Sequence, residues 1–298
     1  MTIEQFLNQL TEEVRKSYPD SMYEVNCDAF RKNNDTLRHG IFVKGKGEMV
    51  SPTIYVDRYY SEFLRKKYTI PEIANEIVNT LEKARNRAME YSKFSIEFDN
   101  CKDRIVFFLV SKSKNSELLK EVPFVPFLDF AITFHVVCNV ENHGIESLRI
   151  NNQLMEKWGI TTSDLYRLAE ENSPRMFPAE ICSLSELLFG MITDEIEGIE
   201  SENDITPMLI LTNSAGVNGA SAILYPNLIQ KLAMDLEANL YIIPSSIHEI
   251  LIIPAEEEEG LDSLSSMVEH INANDVSPEE VLSDRAYYYD RFEKKFVF

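Results

Sequence analysis

From Thr2 to Ser17 the apolar positions Ile3, Phe6, Leu7, Leu10 and Val14 recur every three or four residues, the spacing of one helix face. Thr2 precedes the run as an N-cap, and Pro19-Asp20 ends it. Two strand-like stretches follow, "MYEVNCDAF" and "TLRHGIFVKG", separated by the turn-prone "KNND". "SPTIYVDRYYSEFLRKK" reads as a short strand entering a helix. "TIPEIANEIVNTLEKARNRAME" is a longer helix, with Pro71 near its start and Ile73, Ile77, Leu81, Ala84 and Ala88 on one face. "RIVFFLV" and "FLDFAITFHVVCNV" are apolar enough for central strands. The intervening "VPFVPF" reads as an extended connection, because each proline disfavours helix at the residue before it.

After "ESLRI", a further strand candidate, the period turns helical in "NNQLMEKWGI", "TTSDLYRLAEENSP" and "SLSELLFGMITDEI", with Thr162 or Ser163 as the cap of the second. The last third alternates again. "MLILTN" and "ASAILYP" read as strands around "SAGVNG", where Gly216 and Gly219 permit positive φ. "NLIQKLAMDLEA" reads as a helix, "LYIIPSSIHEILIIPA" as a hairpin, and "LDSLSSMVEHINAN" as a last amphipathic helix. This order predicts an α+β fold: antiparallel sheets with helices packed on one face, in two lobes. No repeat at a solenoid period is present.

Charge sharpens the division. Residues 1–150 hold 21 Lys and Arg against 22 Asp and Glu, whereas residues 151–298 hold 8 against 27. From Met176 to Asp284 a single basic residue, Lys231, faces 21 acids. The reading is a near-neutral lobe over 1–150, a helical connector over 151–206 with the acidic linker "EGIESENDITP" (197–207), and an acidic lobe over 207–298. Such a field repels phosphate backbones and excludes direct nucleic-acid binding by the C-terminal half. It fits a basic protein partner, or beyond that mimicry of nucleic acid that inhibits a nucleic-acid enzyme; solubility alone is the plain alternative. The cluster Arg65, Lys66, Lys67, Lys83, Arg85 and Arg87 reads as a solvated helix face.

The longest apolar runs fall short of the roughly 18–20 residues that span a bilayer, so no membrane association is expected. The N-terminal stretch reads as an amphipathic helix and not as a signal peptide. The four cysteines (27, 101, 138, 182) form no C-x-x-C pair, which fits buried thiols in a reducing cytoplasm. Oligomeric state is not written in the sequence.

Candidate chemistry concentrates in "PSSIHE". Ser245, Ser246, His248 and Glu249 are the catalytic candidates, a hydroxyl with a base and an acid in a hydrolase reading. Ser246 and His248 share a face of an extended strand, but Glu249 points away and cannot orient that imidazole. No G-x-S-x-G elbow occurs, so the competing reading is a hairpin turn in which the serines bond to local backbone. His248 and Glu249 double as binding candidates. His135, Cys138 and His143 lack a compact zinc spacing and read as core residues. No metal is expected. No cofactor is expected either: "GKG" at 45–47 lacks the phosphate-loop frame and no G-x-G-x-x-G occurs. The "EEEE" run at 256–259 lacks the alternation of a calcium loop.

Several phrases carry a resemblance: "KNND", "SPTIYVDRYY", "CKDRIVFFLV", "VPFVPFLDFAITFHVV", "WGITTSDLYRLAEENSPRMFPAEI", "GASAILYP", "YIIPSSIHEILIIPA" and "SPEEVLSDRAYYYDR". Over nearly its whole length the chain resembles a family of uncharacterised proteins, common in Clostridia and related gut Firmicutes and catalogued as a domain of unknown function. "GITTSDLYRLAEENS" and the "LYP…LYIIP…EILIIP" succession are similar to a second uncharacterised bacterial family. The resemblance implies a bacterial cytoplasmic setting and transfers no activity. Within its phrases it points to Asn172, Arg175, Ser245, Ser246, His248 and Glu249, of which Asn172 and Arg175 join His248 and Glu249 as binding candidates.

Overall fold

The computed structural model describes residues 1–46, 51–91, 96–141, 144–184, 208–255 and 260–297. The chain forms two compact units: Met1–Lys32 with Thr36–Ser95, and Asn33–Asp35 with Ile96–Phe298.

In the first unit, helix α1 (Ile3–Arg15) opens on a capping box in which Thr2 and Gln5 exchange side-chain and backbone bonds. Strands β1 (Tyr23–Arg31), β2 (Leu37–Gly45) and β3 (Thr53–Tyr55) form an antiparallel sheet in that order. Helices α2 (Asp57–Leu64) and α3 (Ile70–Tyr91) follow. Phe6, Leu10 and Val14 of α1 meet Ile73, Ile77 and Leu81 of α3 over Val25, Ile41 and Val43 of the sheet, all buried. Burying such side chains is worth about 1.5–3 kcal/mol each, which holds two amphipathic helices on one sheet face.

Among the described residues the second unit carries two antiparallel sheets. A short helix α4 (Phe98–Cys101) leads into β4 (Ile105–Ser111), whose residues are all buried. β4 pairs along one edge of β6 (Phe130–Glu141); β5 (Phe124–Phe127) and β7 (Gly144–Arg149) share the other edge end to end. Phe124–Phe127 of "VPFVPF" is thus a paired strand and not merely a connection. Pro126, which lacks an N–H, is accommodated because β5 lies at a sheet edge.

Helices α5 (Asn152–Trp158) and α6 (Thr162–Met176) follow, the latter capped by Thr161 through a box with Asp164, one residue earlier than the spacing indicates. Next come β8 (Ala179–Ser183), β9 (Leu209–Asn213), α7 (Leu228–Asp235), β10 (Asn239–Ile243), β11 (Ile250–Ala255), α8 (Leu261–Asn274), β12 (Tyr287–Asp290) and β13 (Lys295–Val297). The six strands order as β13-β12-β10-β11-β9-β8, each pairing antiparallel. On one face of this sheet Ile243, Leu251 and Ile253 pack under Val268, Leu261 and Leu264 of α8.

Two further sequence readings change. "ASAILYP" is no strand: Gly219–Leu224 is a 3-10 turn whose small residues press against neighbouring backbone. The units part at residues 95 and 96, whereas the charge reading drew a lobe boundary at 150. The reason is visible at β4, which is open on the edge away from β6. Its Phe107 and Leu109 N–H groups donate to Ser173 Oγ on α6 (3.2 Å) and to Ser221 Oγ on the 3-10 turn (3.0 Å). Side chains from beyond residue 150 complete a strand from before it. The linker 197–207, most of the helical stretch 183–196 and the run 256–259 lie outside the described residues.

Candidate functional site

The six residues Pro244–Glu249 join β10 to β11, which pair up to Ile243 and Leu251. This loop is sewn to its neighbours through backbone. Pro244 O and Ser245 O accept from Ser283 N and Leu282 N, Ile247 N donates to Glu280 O, and Ser246 bridges Val281. On the other side Ala220 N donates to Ile247 O, and Thr212 Oγ1 donates to His248 O at 2.9 Å. Gly219 is needed here: a Cβ would lie 2.1 Å from Thr212 Oγ1 and 2.4 Å from His248 O. At Gly216, by contrast, the backbone itself takes positive φ (63°).

Three loops therefore converge, 213–221, 244–249 and 277–284. Asn34 secures the third, donating from Nδ2 to Pro278 O and Val281 O while exchanging bonds with the fully buried Asn115. "GASAILYP", "YIIPSSIHEI", "SPEEVLSDR" and the Asn33–Asp35 part of "KNND" thus meet in one place.

Ser246 is buried, and its Oγ accepts the backbone N–H of His248 (3.0 Å) instead of facing the imidazole. The ring is held by other groups. Nδ1 accepts from Asn218 N (3.3 Å), which places the proton of the neutral ring on Nε2, and Nε2 lies 3.8 Å from Glu280 Oε1. A general base needs a ring nitrogen with a free lone pair toward its nucleophile. Here that lone pair is occupied. Ser245 and Glu249 are both half-buried; Ser245 enters the bonding through its carbonyl, and Glu280, not Glu249, is the acid beside the histidine.

Asn172 and Arg175 sit on α6, far along the chain from this loop. Asn172 is buried and donates from Nδ2 to Lys102 O (2.8 Å) and Ile105 O (3.0 Å). Its Oδ1 accepts from Arg175 Nη2 (2.8 Å), which also donates to Asp103 O. The pair clamps the chain at the entry to β4.

Two polar groupings were not anticipated. Ser283 Oγ donates to Asp129 Oδ2 (3.0 Å), and Tyr287 OH donates to Asp129 Oδ1; burial, then that bond, pushes the phenol far above its ordinary pKa. Asp284 pairs with Lys114 (2.7 Å) and accepts from Asn272 Nδ2 (2.9 Å). Burial raises its pKa, but the ammonium and the amide outweigh it, leaving the carboxyl below its usual range. "SDR" preceding an aromatic run was the sequence signal, but Asp129 and Lys114 lie more than 150 residues away along the chain.

No group of three or more His, Cys, Asp and Glu is placed to hold a metal among the described residues. His135 is a core residue. Its ring lies 4.6 Å from that of Phe108, and burial, then Arg149, pushes its pKa well below the ordinary value. The Cys138 thiol is pushed up by burial, and His143 lies outside the described residues. Of the surface grooves, one of about 980 Å³ is lined by Glu12, Phe63, Leu64, Lys67 and Tyr68 of the first unit. Another, of about 800 Å³, lies at the start of α8 beside Arg285. Neither contains Ser245, Ser246 or His248.

No helix among the described residues is long and apolar enough to cross a membrane. The chain matches, over residues 3–291, the model of a family of unknown function, DUF5688. No curated protein and no solved structure matches it.

Proposed function

We propose a binding role for this chain, which belongs to DUF5688, a family of unknown function: its second unit docks a basic protein surface, as an adaptor or inhibitor would. One observation carries the reading. Divided by compact unit, the sequence places 15 Lys and Arg against 13 Asp and Glu in the first, and 14 against 36 in the second, net +2 and −22. The imbalance follows the units more sharply than it follows the midpoint of the chain. A pole of that size steers an oppositely charged partner and disfavours nucleic acid.

The bonding of the β10–β11 loop supports binding over turnover, since Ser246 Oγ and His248 Nδ1 both accept backbone N–H groups. A cytoplasmic setting belongs to the same proposal, and so does the alternative that the partner is a nucleic-acid enzyme. The test is capture from a native-source lysate at about 50 mM and about 500 mM salt, with the bound protein identified. The expected result is a basic protein held at low salt and released at high salt. Recovery of no partner at low salt, or of one indifferent to salt, overturns the proposal. Competition by nucleic acid for that partner separates the mimic from a general adaptor.

A further inference from the structure

We infer that Arg149, with His135 and Ser147 beside it, is the binding site of a small carboxylate anion; this stands apart from the docking reading above. β6 and β7 pair so that His135 lies opposite Arg149 and Val137 opposite Ser147, while β4 sets Val106 opposite His135. Directly paired residues project to the same side of a sheet, so these side chains share one face. The His135 ring is buried there, with Nδ1 3.4 Å from Ser147 Oγ and Nε2 3.4 Å from Thr133 Oγ1. Thr133 Oγ1 donates to Phe108 O and so accepts the Nε2 proton, which turns the Nδ1 lone pair toward the exposed Ser147.

Arg149 is the odd member of this face. A guanidinium is charged at every ordinary pH and carries five N–H donors. Its side chain makes no hydrogen bond and no ion pair among the described residues, and its Nε is buried without a partner. Burial alone pushes its pKa down, with no carboxylate among the described residues to offset it. The neighbouring cluster, from Val106 and Phe108 to Met176 and Phe177, is apolar. Buried charges are paired as a rule, because an isolated one forfeits its hydration. This one awaits a partner from outside. The residue is half-buried and its Nη groups keep accessible surface, so an anion can reach it past Ser147.

Charge and shape choose the ligand. One guanidinium beside a neutral imidazole and a hydroxyl balances one negative charge, and its planar fork matches the two oxygens of a carboxylate. The Ser147 hydroxyl can turn from Nδ1 to the same ligand. A phosphate dianion would keep a surplus charge within a unit of net −22. That wider field is screened over about 8 Å at physiological salt, so it does not cancel a direct contact at Arg149.

The test titrates the full chain with sodium acetate at about 150 mM total ionic strength, following the His135 ring by NMR, with sodium phosphate and sodium chloride in parallel. Acetate is expected to shift the His135 signals with a Kd of about 1–10 mM, about tenfold tighter than phosphate or chloride. Arg149→Met is expected to weaken acetate about tenfold or more and to leave the urea midpoint unchanged or raised, because an unpaired buried charge is removed. Arg285→Met, at an exposed arginine elsewhere in the unit, keeps wild-type binding. No shift of the His135 signals up to about 100 mM acetate, or equal affinity in Arg149→Met, overturns the site. A urea midpoint that falls in Arg149→Met shows the guanidinium to be partnered within the chain and also overturns it. Phosphate or chloride bound as tightly as acetate overturns the assignment to a carboxylate.

Discussion

Asn172, a polar residue inside a recognisable phrase, has every hydrogen-bonding group of its side chain spent within the fold. Both of its amide hydrogens and its oxygen are taken, by Lys102 O, Ile105 O and the Arg175 guanidinium. Asn172→Ala is expected to cost about 1–3 kcal/mol by stranding buried carbonyls, read as a lowered urea midpoint at unchanged slope. An unchanged midpoint contradicts the clamp. The i, i+3 relation of Asn172 and Arg175 was readable from the helix period. Their carbonyl partners, some 70 residues earlier, were not, because a side-chain bond to distant backbone leaves no local pattern. His135 gives a pH test. Its folded pKa lies below the unfolded value of about 6.5, so it contributes stability above that pH that is lost as pH falls toward the folded value. His135→Phe is expected to flatten stability between about pH 7 and pH 5, measured by denaturant titration. A wild type already flat there contradicts a neutral core histidine.

At the scale of elements, periodicity was a good guide wherever one face is buried. α1, α3, β1 and β2 follow their apolar spacing, because each hides a single stripe against a core, and the β10–β11 hairpin follows from apolar runs buried on both faces. It failed at Gly219–Leu224, where "ASAIL" alternates like a strand but serves as a compact turn closing the open edge of β4. It also missed β8 and β12, whose short, mixed patterns gain meaning only from the neighbours they pair with. The loop Pro244–Glu249 was legible as a turn, while its ties to 213–221 and 277–284 were not. Gly219→Ala is expected to destabilise the second unit by more than about 2 kcal/mol, since the new methyl meets backbone at His248 and Asn213. Ser246→Ala removes one acceptor of a backbone N–H and is expected to cost about 1 kcal/mol. A fluorophosphonate probe is expected to label neither Ser245 nor Ser246 in the folded wild type. Labelling of either would restore the hydrolase alternative.

Over the whole molecule the informative quantity is charge, and it was countable from the sequence before any coordinates. What the sequence did not disclose is where to divide the count. A break at residue 150 splits β4 to β7 from the α6 and 3-10 turn residues that finish them, and gives net −1 and −19 where the compact units give +2 and −22. The break at 95 and 96 gathers nearly all the excess carboxylate into one unit. Hydrogen–deuterium exchange of the chain, free and bound to the basic protein captured at low salt, tests this most directly. Slowed exchange confined to peptides from residues 96–298, and abolished at about 500 mM salt, is the outcome the account requires. Slowing confined to residues 1–95, or slowing that persists unchanged at high salt, would contradict it.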